Sequence, residues 1–138
     1  MLEKKEGIRI MVKSKFYSSE PWGFESESQF VNACCILKTR LTPGGVLLAL
    51  QRIEKELGRE QKTKSDYEDR VLDLDILFYN HLVLSSESLT IPHRFMHVRN
   101  FVLEPLSEIS PNWVHPVYLK SVAELLAISS DSNSVYAL

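Results

Sequence analysis

The chain lacks most of the features that mark a specialised protein class. It has two cysteines, Cys34 and Cys35, and they are consecutive. Adjacent residues of a strand point to opposite faces, so a bond between them is implausible. They read instead as reduced, buried thiols, which fits a cytoplasmic protein. No run of 18 apolar residues occurs, so no segment is a candidate membrane span. The opening Met-Leu-Glu-Lys-Lys-Glu leads into no apolar stretch of the kind a secretory leader carries. Net charge is −2, without the basic footprint of a nucleic-acid binder. No Ser/His/Asp or Cys/His arrangement suggests a covalent nucleophile, and there are no internal repeats or linkers. What remains is 138 residues, 44% hydrophobic and 25% charged. That is one domain, residues 1–138, with enough chain to bury a core without staples.

Ile8, Ile10 and Val12 alternate with Arg9, Met11 and Lys13, and Phe16 continues the even face, so a strand is expected over about 8–18. Residues 20–28 read as a loop around Pro21 and Gly23; its Trp22 and Phe24 either wall a binding site or pack back on the sheet. Residues 30–38 form a second strand, apolar on both faces except at Asn32, an amide that needs a partner in the core or on a ligand. Thr42-Pro43 looks like a helix cap and first turn, and Val46, Leu50, Ile53 and Leu57 share one helical face, with Gly58 closing the helix. Arg59 to Asp69 is charged and lacks apolar periodicity, as lids do. A strand over 70–79 follows, then a turn at Asn80-His81 and short extended pieces at 82–84 and 89–91. Helical spacing returns over 95–109, with a break expected at Pro105. A short helix covers 121–128, and the last ten residues look frayed. This order describes an α+β sandwich, with helices on one face of an antiparallel sheet.

The segment from Arg70 to Phe78 carries the chemistry. Asp73 and Asp75 stand two apart in an apolar run, so on a strand they share a face while Leu72, Leu74 and Ile76 point into a core. Two neighbouring carboxylates repel each other and resist desolvation. Hard divalent cations relieve both problems, and Mg²⁺ commonly shares such carboxylates with substrate phosphates. Arg70 adds a fixed positive charge suited to phosphate oxygens. The bland alternative is a strand with one wet, acidic face.

Arg70-x-x-Asp-Leu-Asp-Ile-Leu77 and Leu89-Thr-Ile-Pro-His93, followed by Arg99, resemble the 6-hydroxymethyl-7,8-dihydropterin pyrophosphokinases of folate biosynthesis. Phe30-Val-Asn32, Arg52-Ile-Glu54 and Gly58-Arg59 support the resemblance, which runs from about Phe16 to Pro116. It implies a ferredoxin-like two-layer sandwich and an ATP-dependent diphosphotransferase. The diphosphate of ATP passes to the hydroxymethyl group of a reduced pterin, and AMP leaves. The resemblance implies two Mg²⁺ on Asp73 and Asp75, and puts Arg70, His93 and Arg99 on or near the phosphates. It sets Gln51, Glu54, Arg59, Ile76, Leu89 and Thr90 near ATP, and Ser19, Pro21, Trp22, Phe30, Asn32 and Phe101 around the pterin. The residue chemistry agrees. A flat ring suits stacking between Phe30 and Phe101, and Asn32 offers both a donor and an acceptor to an amide-like edge.

The chain departs from the family pattern in two places. Asp66-Tyr-Glu-Asp69 stands where the family has Gly-Pro before the arginine. The chain also begins inside the tail of the family's first helix, without the preceding apolar strand and its Gly-Ser-Asn loop. A gap in the sheet is therefore expected, filled by a strand of another copy in a homo-oligomer. Two further readings compete: a non-catalytic relative that binds nucleotide or assembles, and a metallohydrolase using His93 and His97 at helical spacing. Small-molecule partners are expected, with no nucleic acid and no membrane.

Overall fold

The computed structural model describes residues 7–19, 30–62 and 73–138. The chain enters as β1 (Ile8–Lys13) and β2 (Tyr17–Ser19) and returns as β3 (Phe30–Asn32) and β4 (Cys35–Thr39). The register is antiparallel throughout: Ile8 faces Thr39, Lys13 faces Cys35, Tyr17 faces Asn32 and Ser19 faces Phe30. The two long strands expected from alternation are thus the arms of a hairpin broken at matching points. At the break, the Ser14 N–H donates to the Cys34 carbonyl (2.9 Å) and the Cys34 N–H to Ser14 Oγ (2.9 Å). A bulge between Ile10 and Val12 turns β1 as well. Period-2 reasoning therefore fails beyond it: Ile8 is buried, whereas Val12 and Phe16 are exposed. Cys35 at the start of β4 is exposed and Cys34 before it is half-buried, so only part of the buried-thiol expectation holds.

Helix α1 (Pro43–Lys62) starts where its cap predicts, with the Gly45 N–H donating to Thr42 Oγ1 (3.1 Å). Val46, Ala49, Leu50 and Ile53 are its buried stripe. The helix does not stop at Gly58. A mid-helix glycine costs only about 1 kcal/mol, and the neighbouring Glu, Leu, Arg and Gln are good helix formers. Residues 59–62 therefore belong to the helix, and the remainder of the expected lid lies outside the described residues.

After the turn at Asn80, whose φ is +53°, come β5 (Leu84–Ser85) and β6 (Thr90–Ile91), paired antiparallel. A 3₁₀ turn at Met96–Val98 precedes α2 (Asn100–Ile109). The break falls at Arg99, which is in extended conformation, and α2 runs through a buried Pro105. His93 precedes this 3₁₀ turn and His97 lies within it, so the two do not share one α-helical face. No group of three metal-ligating side chains occurs among the described residues. Helix α3 (Val122–Ile128) has a complete capping box between Ser121 and Glu124. Met96, Leu103, Leu106, Val122 and Leu125 form the core between α2 and α3, with Phe78, Val102 and Trp113 packed on it.

The C-terminal residues are ordered rather than frayed. Strand β7 (Val135–Ala137) pairs antiparallel with β2, and the Leu138 N–H donates to the Phe16 carbonyl (2.9 Å). The architecture is α+β, antiparallel ladders with helices packed on them. The ladders are β1-β4, β3-β2-β7 and β5-β6. The strand expected over 70–79 is not formed in its described part: residues 73–78 join no ladder. A cleft of about 390 Å³ is lined by these residues and by β4. No described helix is long and apolar enough to cross a membrane.

Candidate active site

The cleft has one wall of β4 and one of residues 73–79, closed below by Leu50, Leu106 and Trp113. Asp73 and Asp75 line it and are exposed, while Leu74 and Ile76 between and beyond them are half-buried. Exposure alternates over residues 73–76 without a ladder, but Leu74 and Ile76 line the same cleft as the aspartates instead of a separate core. Glu54 on α1 helps to hold this segment: the Leu74 N–H donates to Glu54 Oε2 at 2.6 Å. The peptide between the two aspartates is therefore anchored by a third carboxylate. Sequence reasoning placed Glu54 near ATP and did not foresee this bond; its place on the α1 face beside Ile53 was the available signal.

Residues 73–78 are tied to the β6 arm by the His93 N–H, which donates to the Leu77 carbonyl (2.9 Å). Leu89 and Thr90 are half-buried at and before β6, and a cis Ile91-Pro92 bond leads into His93. His93 Nδ1 accepts from the Phe95 N–H (3.4 Å). Arg99 lies over both Phe95 (5.3 Å) and Phe101 (5.8 Å), and Arg94 over Phe95 (5.9 Å). Arg94 and Phe95 were missed from sequence. Gln51 is exposed on α1, one turn before Lys55.

On the other side, Ser19 is buried at the end of β2, opposite an exposed Phe30, and Asn32 is half-buried opposite Tyr17. Helix α2, with Phe101 in its first turn, packs on β2 and β3. Four of the six residues expected around a pterin thus sit on neighbouring elements. Pro21, Trp22 and Arg70, and the side chain of Arg59, lie outside the described residues.

A second carboxylate braces this side. Glu108 Oε1 accepts from the Lys15 N–H (3.0 Å) and the Tyr17 hydroxyl (2.8 Å), joining β2 to the end of α2. The Lys15 N–H, then the Tyr17 hydroxyl, hold Glu108 below the usual carboxylate range. Desolvation first, then Glu108, push Tyr17 up to about 12. Burial pushes Cys34 up to about 12 too, so it is no nucleophile at neutral pH.

The exposed Asp73 and Asp75 carboxylates lining the cleft are hard oxygen donors of the kind phosphoryl-group transfer uses. That chemistry needs mainly positioning and charge neutralisation. Comparison with known proteins gives this class a family. Residues 1–111 match the model for 7,8-dihydro-6-hydroxymethylpterin-pyrophosphokinase. The chain is 44% identical over 118 residues to the 2-amino-4-hydroxy-6-hydroxymethyldihydropteridine pyrophosphokinase of Porphyromonas gingivalis, covering 84% of this chain and 79% of that one. It is 40% identical over 119 residues to the protein of that name in Aquifex aeolicus, covering 86% and 73%. It is also 41% identical over 126 residues to the folic acid synthesis protein fol1 of Schizosaccharomyces pombe, covering 91% of this chain and 17% of that longer one. The chain belongs to the 7,8-dihydro-6-hydroxymethylpterin-pyrophosphokinase family.

Proposed function

We propose that this chain transfers the diphosphate of ATP to the hydroxymethyl group of 6-hydroxymethyl-7,8-dihydropterin, releasing AMP, with two Mg²⁺ held by Asp73 and Asp75. Family membership supports the reaction. The observation that carries the site assignment is the exposed Asp73/Asp75 pair lining the cleft, with the Leu74 peptide between them held by Glu54. The donor set fits the ion, since Mg²⁺ takes one or two carboxylates and completes its shell with water and phosphate oxygens. When bound, the ions neutralise phosphate charge and orient the triphosphate. The remaining work belongs to the chain. Arg70, His93 and Arg99 contact phosphates, and Gln51, Glu54, Arg59, Ile76, Leu89 and Thr90 surround the rest of ATP. Phe30 and Phe101 stack the pterin, Asn32 reads its edge, and Ser19, Pro21 and Trp22 complete the pocket. In-line transfer then needs no covalent intermediate.

A second copy of the chain is part of this proposal. Among the described residues the outer edge of β4 has no ladder partner, and it faces residues 73–78 across the cleft. A strand from another copy entering there satisfies main-chain groups on both walls. Sedimentation at micromolar concentration then shows a dimer or larger assembly, and a well-folded monomer overturns the idea. The compartment that fits reduced thiols and soluble substrates is the cytoplasm.

Incubation with ATP, Mg²⁺ and the dihydropterin, followed by separation of nucleotides, tests the reaction. AMP accumulating in step with pterin consumption supports it. Nucleotide binding without AMP would favour the non-catalytic relative, for which the open cleft beside β4 is the specific observation.

A further inference from the structure

Helix α2 begins without a cap of its own. Its cap residue, Arg99, makes no side-chain hydrogen bond to the first turn. The missing acceptor comes from far along the chain. Asp131 Oδ2 accepts from the Asn100 N–H at 2.8 Å, and the Asp131 carbonyl accepts from Asn100 Nδ2 at 3.2 Å. A carboxylate at a helix N-terminus also meets the positive end of the helix dipole.

Asp131 is itself held in place. Its N–H donates to Ser129 Oγ (3.1 Å), and its Oδ1 accepts from the Asn133 N–H (3.0 Å). Both ends of this short stretch are anchored: α3 precedes it in the core, and β7 follows it on the ladder with β2. Asn100 stands between Arg99 and Phe101, so one residue, gripped through main chain and side chain, fixes the start of both. Arg99 lies over the Phe101 ring, which couples the pair further. The same tail, through β7, also borders Ser19, which faces Val135. The family match ends at residue 111, so Asn100 lies within it and Asp131 beyond it.

We propose that Asp131 is a positioning residue: it caps α2 in place of a local residue and thereby sets Arg99 and Phe101 for the substrates. The role of those two side chains rests on the function proposed above. The cap itself does not.

The test uses the whole chain with Asp131→Ala and the isosteric Asp131→Asn, beside Ser121→Ala. The last variant removes the α3 capping box, a loss of similar size in the same part of the fold, without touching Asp131. Amide hydrogen exchange is read first, without ligand. Asp131→Ala should speed exchange at residues 100–103 by about tenfold relative to Ser121→Ala, the factor that about 1.4 kcal/mol gives, and Asp131→Asn by less. Pterin affinity by titration should fall by a similar factor in Asp131→Ala, and less in Asp131→Asn, which keeps one acceptor. Thermal stability should drop alike in Asp131→Ala and Ser121→Ala, so stability alone cannot account for the difference. If Asp131→Ala does not fold, Asp131→Asn carries both readouts. Exchange at 100–103 equal to that of Ser121→Ala would overturn the cap. Altered exchange with unchanged pterin affinity would overturn the positioning role. Wild-type protein that binds no pterin would instead count against the proposed function and leave the exchange result to decide the cap.

Discussion

Removing the Glu54 carboxylate should loosen the Asp73–Asp75 segment more than any other single change outside the core. The bond from the Leu74 N–H to Glu54 is short (2.6 Å) and charge-assisted, and Glu54 is half-buried on α1. Residues 73–78 have no ladder to fall back on. A hydrogen bond to a charged group contributes about 1.5–3 kcal/mol. Loss of one negative charge near two aspartates relieves some repulsion, which places the net effect of Glu54→Ala toward the lower end. For a chain of this size that corresponds to a fall in Tm of roughly 5–10 °C, at roughly 3–5 °C per kcal/mol. Glu54→Gln keeps an acceptor and loses the charge, so its loss should be about half as large. Thermal melts without ligand, followed by near-ultraviolet circular dichroism and by exchange at residues 74–77, give the answer. Melting temperatures and exchange identical in wild type and both variants would refute the bracing argument, because the structure gives the Leu74 N–H no other described acceptor.

Three further outcomes follow from the same geometry. Asp73→Asn and Asp75→Asn should each abolish AMP release, and in Asp75→Asn the apo Tm should hold or rise slightly, since it removes one of two neighbouring like charges; full activity in either variant would remove the metal assignment. His115 is buried with Nδ1 accepting from the Val117 and Tyr118 N–H groups, and burial, then His97, hold its pKa below the ordinary value. Its folded pKa is depressed, so its contribution is full above about pH 6.5 and fades as pH falls below that; Tm measured from pH 7.5 to 5 should decline less steeply in His115→Asn than in wild type. A thiol reagent at pH 8 should label exposed Cys35 well before Cys34, which peptide mapping of briefly treated protein would show.

The sequence was most legible where one local rule decides the outcome. The cap at Thr42, the short helix from Ser121, the turn at Asn80 and the alternating exposure of Asp73-Leu74-Asp75 all depend on neighbours within a few residues. It was least legible where a distant group decides. The helix break falls at Arg99 rather than Pro105 because the 3₁₀ turn ends there and Asp131, 31 residues beyond Asn100, supplies the cap. The C-terminal residues are ordered because β2 offers them an edge, which their Ser- and Asp-rich composition does not reveal. Gly58 misled because a helix signal was weighed without the strong formers after it. At the site, alternation identified the two aspartates, and the family resemblance supplied the arginine, histidine and pocket assignments. Neither could show that Glu54 and Glu108 act as struts, because those bonds join residues 20 and 91–93 positions apart.

The central claim is that the diphosphate of ATP moves intact to the pterin at the Asp73/Asp75 cleft. Phosphorus NMR of a reaction containing ATP, Mg²⁺ and 6-hydroxymethyl-7,8-dihydropterin tests it directly. The account predicts AMP and a pterin-linked diphosphate growing at equal rates, with neither formed by Asp75→Asn. ADP and inorganic phosphate, or unchanged ATP in the presence of a well-folded protein, would contradict it.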